Sequence, residues 1–331
     1  MLWHEIVAAA AQSWPPFALV AGLLMIGALA GADGLFEAAG AAVARAGLPP
    51  RALLVALLAL VAGVTAVLNL DTAVVFMTPV LVHAARRCGT NELPFLYGSV
   101  FMANSASLLL PGSNLTNLLV LGQGQGGPAM FRAWVAACAL TTVFVVVAFR
   151  PRPRKPQPGA APTLHLGVGL VAVAIATVLV LVVRAPALPV LAVGLGATAV
   201  RRQRPRIGAG MLAALFVFAV CLGTLGRAWH GPAEAVAASG TWTTAAVSAA
   251  ASVLLNNLPA AVLLSAQPPA HPAALLVGLD LGPNLAVTGS LSAFLWLRAA
   301  RAVGAEASIA TYSLLGLLLV PLTIAGALGA G

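Results

Sequence analysis

The sequence predicts an all-α polytopic membrane protein, and its composition and charge distribution carry this prediction. Of the 331 residues, 61% are hydrophobic and only 8% are charged, whereas a soluble domain carries about 25% charged residues. The formal net charge of +9 is compatible with nucleic-acid binding, but the basic residues stand in short clusters between apolar runs. That distribution is typical of cytoplasmic loops between membrane spans, so we expect the lipid bilayer as a partner and no nucleic acid.

The apolar runs of residues 1–149 predict five elements. After an interfacial lead-in come a span over 15–31 and an interfacial helix over 33–47. A helical hairpin over 51–86 follows. Its arms are shorter than the ~20 residues that a helix needs to cross a bilayer, so we expect a re-entrant hairpin. The run over 93–121 is interrupted by a Pro-Gly pair, which predicts a broken transmembrane helix, and a full span completes the unit.

Residues 207–331 repeat the order of residues 1–149. A span and an interfacial helix precede a second hairpin over 241–267, a second broken helix over 273–300 and a last span. Residues 150–206, a basic linker and two connecting spans, join the two units. If the basic loops lie in the cytoplasm, the hairpin of the first unit enters the membrane from the cytoplasmic side and that of the second unit enters from outside. We therefore predict an inverted repeat in the cytoplasmic (inner) membrane, with the N-terminus outside.

The interruptions of the two units can be paired by their motifs. We pair the first hairpin tip, 69–72, with 256–259, and the first helix break, 112–117, with 282–285. Gly/Pro interruptions at corresponding positions of two halves are a sequence indicator of a transporter binding site.

Polar side chains at membrane depth cluster at these four interruptions. A carboxylate at the centre of a membrane segment costs about 2.5–3.5 kcal/mol, so Asp71 and Asp280 need a specific reason to be there. Desolvation disfavours the charged form of a carboxylate, which makes both residues candidates for proton coupling or for cation binding. Helix ends at this depth add free N–H and C=O groups. The candidate substrate- and ion-binding residues are Asn69, Asp71, Thr72, Ser113, Asn114, Thr116, Asn117, Asn256, Asn257, Asp280, Asn284, Thr288 and Ser290.

These residues also have structural interpretations. Asp71 could cap the second arm of its hairpin, Asp280 could cap the helix that restarts near Pro283, and Asn114 and Asn117 could join helices by hydrogen bonds. The three cysteines show neither metal-ligand nor disulfide spacing, so we predict no metal and no cofactor. The sequence has no HExxH or Gly-x-Ser-x-Gly motif, which argues against an enzyme.

Two segments, residues 101–118 and 278–297, resemble the ArsB-type arsenite/antimonite efflux permeases of the ion transporter (ArsB/NhaD) superfamily. The resemblance extends over about residues 15–330. It implies a two-hairpin, inverted-repeat fold with a scaffold and a moving transport domain, in which the hairpin tips and the broken helices form the substrate site. It is also compatible with two partners, a second copy of the chain in a homodimer and a cytoplasmic ATPase subunit.

The charge of the predicted site suggests its substrate. Arsenite near neutral pH is mostly the uncharged trihydroxide, which suits neutral amides and hydroxyls, and a protonatable Asp could couple its export to proton entry. A dicarboxylate would meet Asp71 as a like charge, with no Arg to offset it. We therefore expect a secondary active transporter that exports arsenite or antimonite, with a small inorganic substrate and a coupling proton as its partners. A sodium/proton antiporter of the same superfamily is the alternative.

Overall fold

The computed structural model describes residues 2–121, 127–149, 165–183, 185–203, 205 and 208–331. Within these residues the chain forms sixteen α-helices and three short 3₁₀ turns, with no β-strand. The all-α class predicted from the sequence is therefore confirmed. The predicted basic linker after residue 149 and part of the second basic loop lie outside the described residues.

The described residues of the first half form seven α-helices. These are α1 (Leu2–Ala32), α2 (Leu35–Arg45), α3 (Pro50–Val67), α4 (Leu70–Arg87), α5 (Leu93–Ala106), α6 (Leu115–Leu121) and α7 (Pro128–Ala148). A 3₁₀ turn, Pro111–Ser113, stands between α5 and α6. The segment expected as an interfacial lead-in forms the first part of α1, and its alanine-rich stretch 8–11 has a high helix propensity.

The rest of the chain contains nine described α-helices. These are α8 (Val168–Val182), α9 (Ala187–Arg201), α10 (Ala209–Ala228), α11 (Gly231–Ala237), α12 (Thr241–Leu255), α13 (Asn257–Leu264), α14 (Pro272–Leu281), α15 (Leu291–Ala302) and α16 (Ile309–Ala330). Two 3₁₀ turns, Gly282–Leu285 and Val287–Gly289, separate α14 from α15.

Five of the described helices are long and apolar enough to cross a membrane: α1, α3, α7, α10 and α16. The helices α8, α9 and α12 are apolar but shorter. α3 begins at Pro50 and comprises 18 residues, so it is longer than the first hairpin arm expected from the sequence. Several apolar helices of this length are the pattern of a multi-pass membrane protein.

An aromatic cluster on α5, α15 and α16 joins the two broken helices to each other. The ring centroid of Trp296 lies 5.3 Å from that of Tyr97 and 5.4 Å from that of Tyr312. The Trp296 indole N–H donates to the Leu96 carbonyl at 2.9 Å, and the Tyr312 hydroxyl donates to the Pro283 carbonyl at 2.9 Å. Buried Trp and Tyr need such polar partners, so these bonds fix where α15 and the turn after α14 lie.

α1 and α9 approach each other closely at two glycines. A Cβ atom on Gly22 would lie 2.8 Å from the Leu191 Cα, and one on Gly194 would lie 2.9 Å from the Gly22 carbonyl oxygen. Small residues at such crossings allow helix backbones to come together, as in other membrane helix pairs. This contact holds the connecting helix α9 against the first span.

Asp33, expected in an interfacial helix, is fully buried at the end of α1. Its carboxylate accepts a bond from the Arg201 guanidinium at 2.6 Å and one from the Gly169 N–H at 2.8 Å. Its carbonyl accepts from the His165 N–H at 2.9 Å. Asp33 therefore ties the end of α1 to the segment before α8 and to α9, a role that its neighbours in sequence did not indicate.

Candidate functional site

An asparagine caps the second helix of each helix pair, α3–α4 and α12–α13. The Asn69 side chain accepts the backbone N–H of Thr72 at 2.7 Å, and the Asn256 side chain accepts that of Leu258 at 3.4 Å. Asn is a preferred N-cap residue because its side-chain oxygen satisfies a free N–H of the first turn. Asn69, and not Asp71, is thus the cap of α4, which leaves the Asp71 carboxylate available for another role.

Asn256 is held in an unusual backbone conformation, with φ 76° and ψ 145°. A non-glycine residue at positive φ is strained by about 1–3 kcal/mol, and such residues concentrate at functional sites. The Asn256 amide also donates to the Thr288 carbonyl at 3.2 Å, and the Thr288 hydroxyl donates to the Val253 carbonyl at 3.1 Å. These bonds hold the tip of the second helix pair against the second helix break.

The two helix breaks have the same local structure. Each consists of a 3₁₀ turn, one residue in extended conformation and a new helix. The extended residues are Asn114, with φ −148° and ψ 145°, and Ser290, with φ −152° and ψ 155°. The structural partner of Asn114 is therefore Ser290, whereas the sequence motifs paired it with Asn284. The correction arises because the second break contains two 3₁₀ turns, and the second one immediately precedes α15.

All four interruptions meet at one cavity. It has about 20 Å³ of room for the centre of a water-sized molecule, enough to hold a water. The described residues that line it are Leu70, Asp71, Asn114, Leu115, Leu215, Asn256, Asn257, Leu258, Ser290 and Leu291.

Most lining residues fall into pairs that occupy matching positions in the two halves. Counted from the caps and the breaks, the pairs are Leu70 with Asn257, Asp71 with Leu258, Asn114 with Ser290, and Leu115 with Leu291. These positions correspond between the two halves, while their chemistry does not. Asp71 carries the single carboxylate of the described lining, and its counterpart is the apolar Leu258.

Asp71 contributes the negative charge of this cavity. It lies in the first turn of α4 and is 6% exposed. Among the described residues, no side chain donates a hydrogen bond to its carboxylate, and no lining residue is Arg, Lys or His. The α4 N-terminus, with its partial positive charge, is the favourable feature close to it. An uncompensated carboxylate of this kind is suited to hold a proton, a cation or a hydroxyl donor.

Asp280 lies behind the cavity wall and not on it. It is 1% exposed, and its Oδ1 accepts from the Asn114 amide at 2.8 Å and from the Thr116 hydroxyl at 2.5 Å. Its Oδ2 is buried without a partner among the described residues. Of the two candidate carboxylates, Asp71 lines the cavity, whereas Asp280 contacts it through Asn114.

Two candidate residues bond to the backbone of the first break. The Asn117 amide donates to the carbonyls of Ser107 and Leu110 at 2.7 and 3.0 Å. The Ser113 hydroxyl donates to the Ser107 carbonyl at 2.6 Å. These bonds satisfy carbonyls left free where α5 ends, so both side chains hold the shape of the break.

Asn104 and Ser292 are site residues that the sequence reasoning did not select. The Asn104 amide donates to the Asn284 side-chain oxygen at 2.7 Å, and the Ser292 hydroxyl donates to the Asn104 oxygen at 3.3 Å. Ser292 also bonds to Ser290 on the cavity wall at 2.6 Å. One signal could have indicated Asn104, because it is an amide inside the apolar run of α5. It precedes the first helix break by the same number of residues as Asp280 precedes the second.

Comparisons with known proteins identify a matching family and a shared fold. The family model CitMHS, described as citrate transporter, matches residues 1–279. Among solved structures, the YdaH transporter of Alcanivorax borkumensis, described as having an unusual topology, has a TM-score of 0.57 and 15% identity over 98% of this chain and 86% of that one. This similarity shows a shared fold. A search of curated proteins found no match.

The sequence resemblance predicted a transporter, and the family match supports that prediction. The matching family is that of citrate transporters, however, and not the ArsB-type permeases. With its several apolar helices, the chain is a multi-pass membrane transporter. Because the family model covers most of its length, the chain belongs to the CitMHS citrate transporter family.

Proposed function

We propose that the chain is a proton-coupled secondary transporter of a small uncharged hydroxylated solute, with the trihydroxides of arsenite and antimonite as the leading candidates. One observation carries this proposal: the cavity combines a single carboxylate, on Asp71, with neutral amides and a hydroxyl, and none of its described lining residues is basic. Neutral solutes with several hydroxyl groups can donate to the carboxylate and accept from the amides.

Competition for Asp71 would supply the coupling. An ionised carboxylate accepts hydrogen bonds from two hydroxyl groups of the solute, whereas a protonated one has lost part of this capacity. On the cytoplasmic side the carboxyl group releases its proton and binds the solute. On the outer side the solute leaves and a proton binds. Each cycle then exports one solute and admits a proton, driven by the proton gradient.

Citrate is the competing substrate because the family model carries its name. Free citrate is an anion at neutral pH, and it would meet Asp71 as a like charge without a basic side chain on the described cavity wall. Like charges held together at low dielectric repel strongly.

Sodium/proton antiport is the second candidate, and a specific observation favours it. Hard cations bind carboxylate and amide oxygens, and Asp71 shares the cavity with Asn114, Asn256 and Asn257. Among the described residues, no group of three or more His, Cys, Asp or Glu side chains is arranged to hold a metal ion. A sodium site here would therefore depend on amide oxygens.

The membrane arrangement is part of the same proposal. We infer that residues 1–149 and 207–331 are inverted repeats, that the two helix pairs are re-entrant, and that the N-terminus lies outside the cytoplasmic membrane. The matching positions around the cavity support the repeat. A homodimer and a cytoplasmic ATPase subunit are further expectations from the family resemblance.

Transport by the purified protein in liposomes tests these alternatives. Arsenite, sodium and citrate are offered separately under an imposed pH gradient, with citrate measured with and without Mg²⁺ to vary the charge of the anion. We expect arsenite movement driven by the gradient, abolished by Asp71→Asn and unchanged by Glu234→Gln, which removes an exposed carboxylate on α11. Gradient-driven movement of citrate alone would overturn the proposed substrate, and movement of sodium alone would establish the alternative.

A further inference from the structure

The two broken helices bond to each other through two crossed contacts. The Thr116 hydroxyl of the first break donates to the Asp280 carboxylate of the second. The Ser292 hydroxyl of the second break donates to the Asn104 side-chain oxygen of the first. Asn104, Asn114 and Thr116 are separated from Asp280, Ser290 and Ser292, respectively, by one constant spacing along the chain. The contacts are therefore the same contact made twice, with the halves exchanged.

The two buried positions have neighbours of the same kinds, although the amide neighbours stand at different places in the two breaks. Asp280 has an amide donor, Asn114, at 2.8 Å and a hydroxyl donor, Thr116, at 2.5 Å. Asn104 has an amide neighbour, Asn284, at 2.7 Å and a hydroxyl donor, Ser292, at 3.3 Å. Both residues are 1% exposed. One position carries a carboxylate and the other an amide, although the two side chains have nearly the same shape.

Buried polar atoms without a hydrogen-bond partner occur at both positions, and they differ in chemical type. The Asp280 Oδ2 is buried without a partner among the described residues, and so is the Asn284 Nδ2 next to Asn104. Burial disfavours a carboxylate charge that its surroundings do not satisfy, and a proton on Oδ2 removes that charge. The free Nδ2 of Asn284 is a donor that would suit a carboxylate at position 104.

We propose that Asn104 and Asp280 are the two copies of one duplicated site, that only the Asp280 copy binds a proton, and that Asn114 transmits the change to the cavity. Asn114 is suited to this role because it bonds Asp280 and also lines the cavity. Asp280 is thus a positioning residue that acts through Asn114, while Asp71 meets the solute. The inference rests on the proposed function only in linking this proton to transport.

The groups around Asp280 leave its carboxylate as the titrating group of this region. α14 packs against α5, α6, α7, α12, α13 and α16. The titratable or basic side chains on these helices are Tyr97, Arg132, Cys138 and Tyr312. Tyr97 donates to the Ser308 carbonyl, Arg132 to the carbonyls of the C-terminal residues, and Tyr312 to the Pro283 carbonyl. Cys138 is a free thiol on α7. The described donors to Asp280 are all neutral.

Infrared difference spectra recorded as a function of pH test the proposal without a transported substrate. The purified protein in detergent is titrated, and the carbonyl stretch of protonated carboxyl groups is followed. We expect Asp280→Asn to remove one component of this band, and the double variant Asn104→Asp/Asp280→Asn to restore one. Ser105→Ala, which removes a buried hydroxyl bonded to Thr141 on the same helix as Asn104, should leave the band unchanged.

A third variant tests the hydrogen bonds themselves. In Thr116→Val, the Asp280 carboxyl group loses one of the two described donors to its Oδ1. We expect its component of the band to move to higher frequency, because a hydrogen bond to a carbonyl oxygen lowers the frequency of the stretch. Each variant is first checked for a single size-exclusion peak and a cooperative melting transition.

Two results would overturn the proposal. A band that is unchanged in Asp280→Asn would remove the proton site, and a folded double variant that lacks the restored component would show that the two positions are not equivalent. Because the spectra need no solute, a failure of arsenite transport leaves this test unaffected, and a failure here leaves the substrate question open to the liposome assay.

Discussion

Replacing Arg201 by alanine tests whether the buried contact of Asp33 holds the first span to the connecting helices. The Arg201 guanidinium lies 2.6 Å from the Asp33 carboxylate, and the side chains are 29% and 0% exposed. After Arg201→Ala, the carboxylate keeps only the Gly169 N–H, at 2.8 Å, among the described donors to its oxygens. The variant therefore leaves a buried charge that has lost its counter-ion.

The expected cost follows from the burial of the pair. Removing one partner of a buried ion pair destabilises a protein by about 3–5 kcal/mol. Because Arg201 is partly exposed and Asp33 retains one donor, we expect a value near the lower limit, about 3 kcal/mol. The double variant Asp33→Asn/Arg201→Ala should lose less, since no unpaired charge remains.

Equilibrium unfolding in mild detergent measures this free energy. The control is Arg227→Ala, which removes an arginine whose guanidinium donates to the exposed Gln12 side chain at 2.7 Å. An exposed polar contact of this kind is worth about 0–1 kcal/mol. Equal losses of stability in Arg201→Ala and Arg227→Ala, or a double variant less stable than Arg201→Ala, would refute the reasoning.

Three further variants are checked by the same unfolding measurement. Gly22→Ala should cost about 1–3 kcal/mol, because the new Cβ would lie 2.8 Å from the Leu191 Cα, while Gly63→Ala, with nothing within 4 Å, should cost nothing; equal effects would contradict the close packing of α1 and α9. Asn69→Ala should cost about 1 kcal/mol through loss of the α4 cap, and an unchanged stability would show that the cap is dispensable. Tyr312→Phe should cost about 0.5–1.5 kcal/mol, the value of one buried hydrogen bond, and a larger loss would point to a role beyond that bond.

Local features of the chain were predictable from the sequence. The apolar runs predicted the helices, and the interruptions at Asn69, Asn256 and Asn114 predicted where the helices stop. These features depend on neighbouring residues, since a Pro, a Gly or a capping Asn acts within one turn of helix. The low content of charge likewise indicated the membrane.

Features that depend on distant partners were not predictable. The burial of Asp33 depends on Arg201, and the environment of Asp280 depends on Asn114 and Thr116, which belong to the other half of the chain. Asn104 was overlooked for the same reason, because its partners are Asn284 and Ser292.

The chain by itself determined that polar groups would be placed at four interruptions of apolar helices. Only the tertiary structure decided that Asp71 lines the cavity where these interruptions meet and that Asp280 lies behind Asn114. The physical reason is that a buried polar atom must find a partner. In this fold, several of the buried polar atoms at each helix break find that partner on the opposite half.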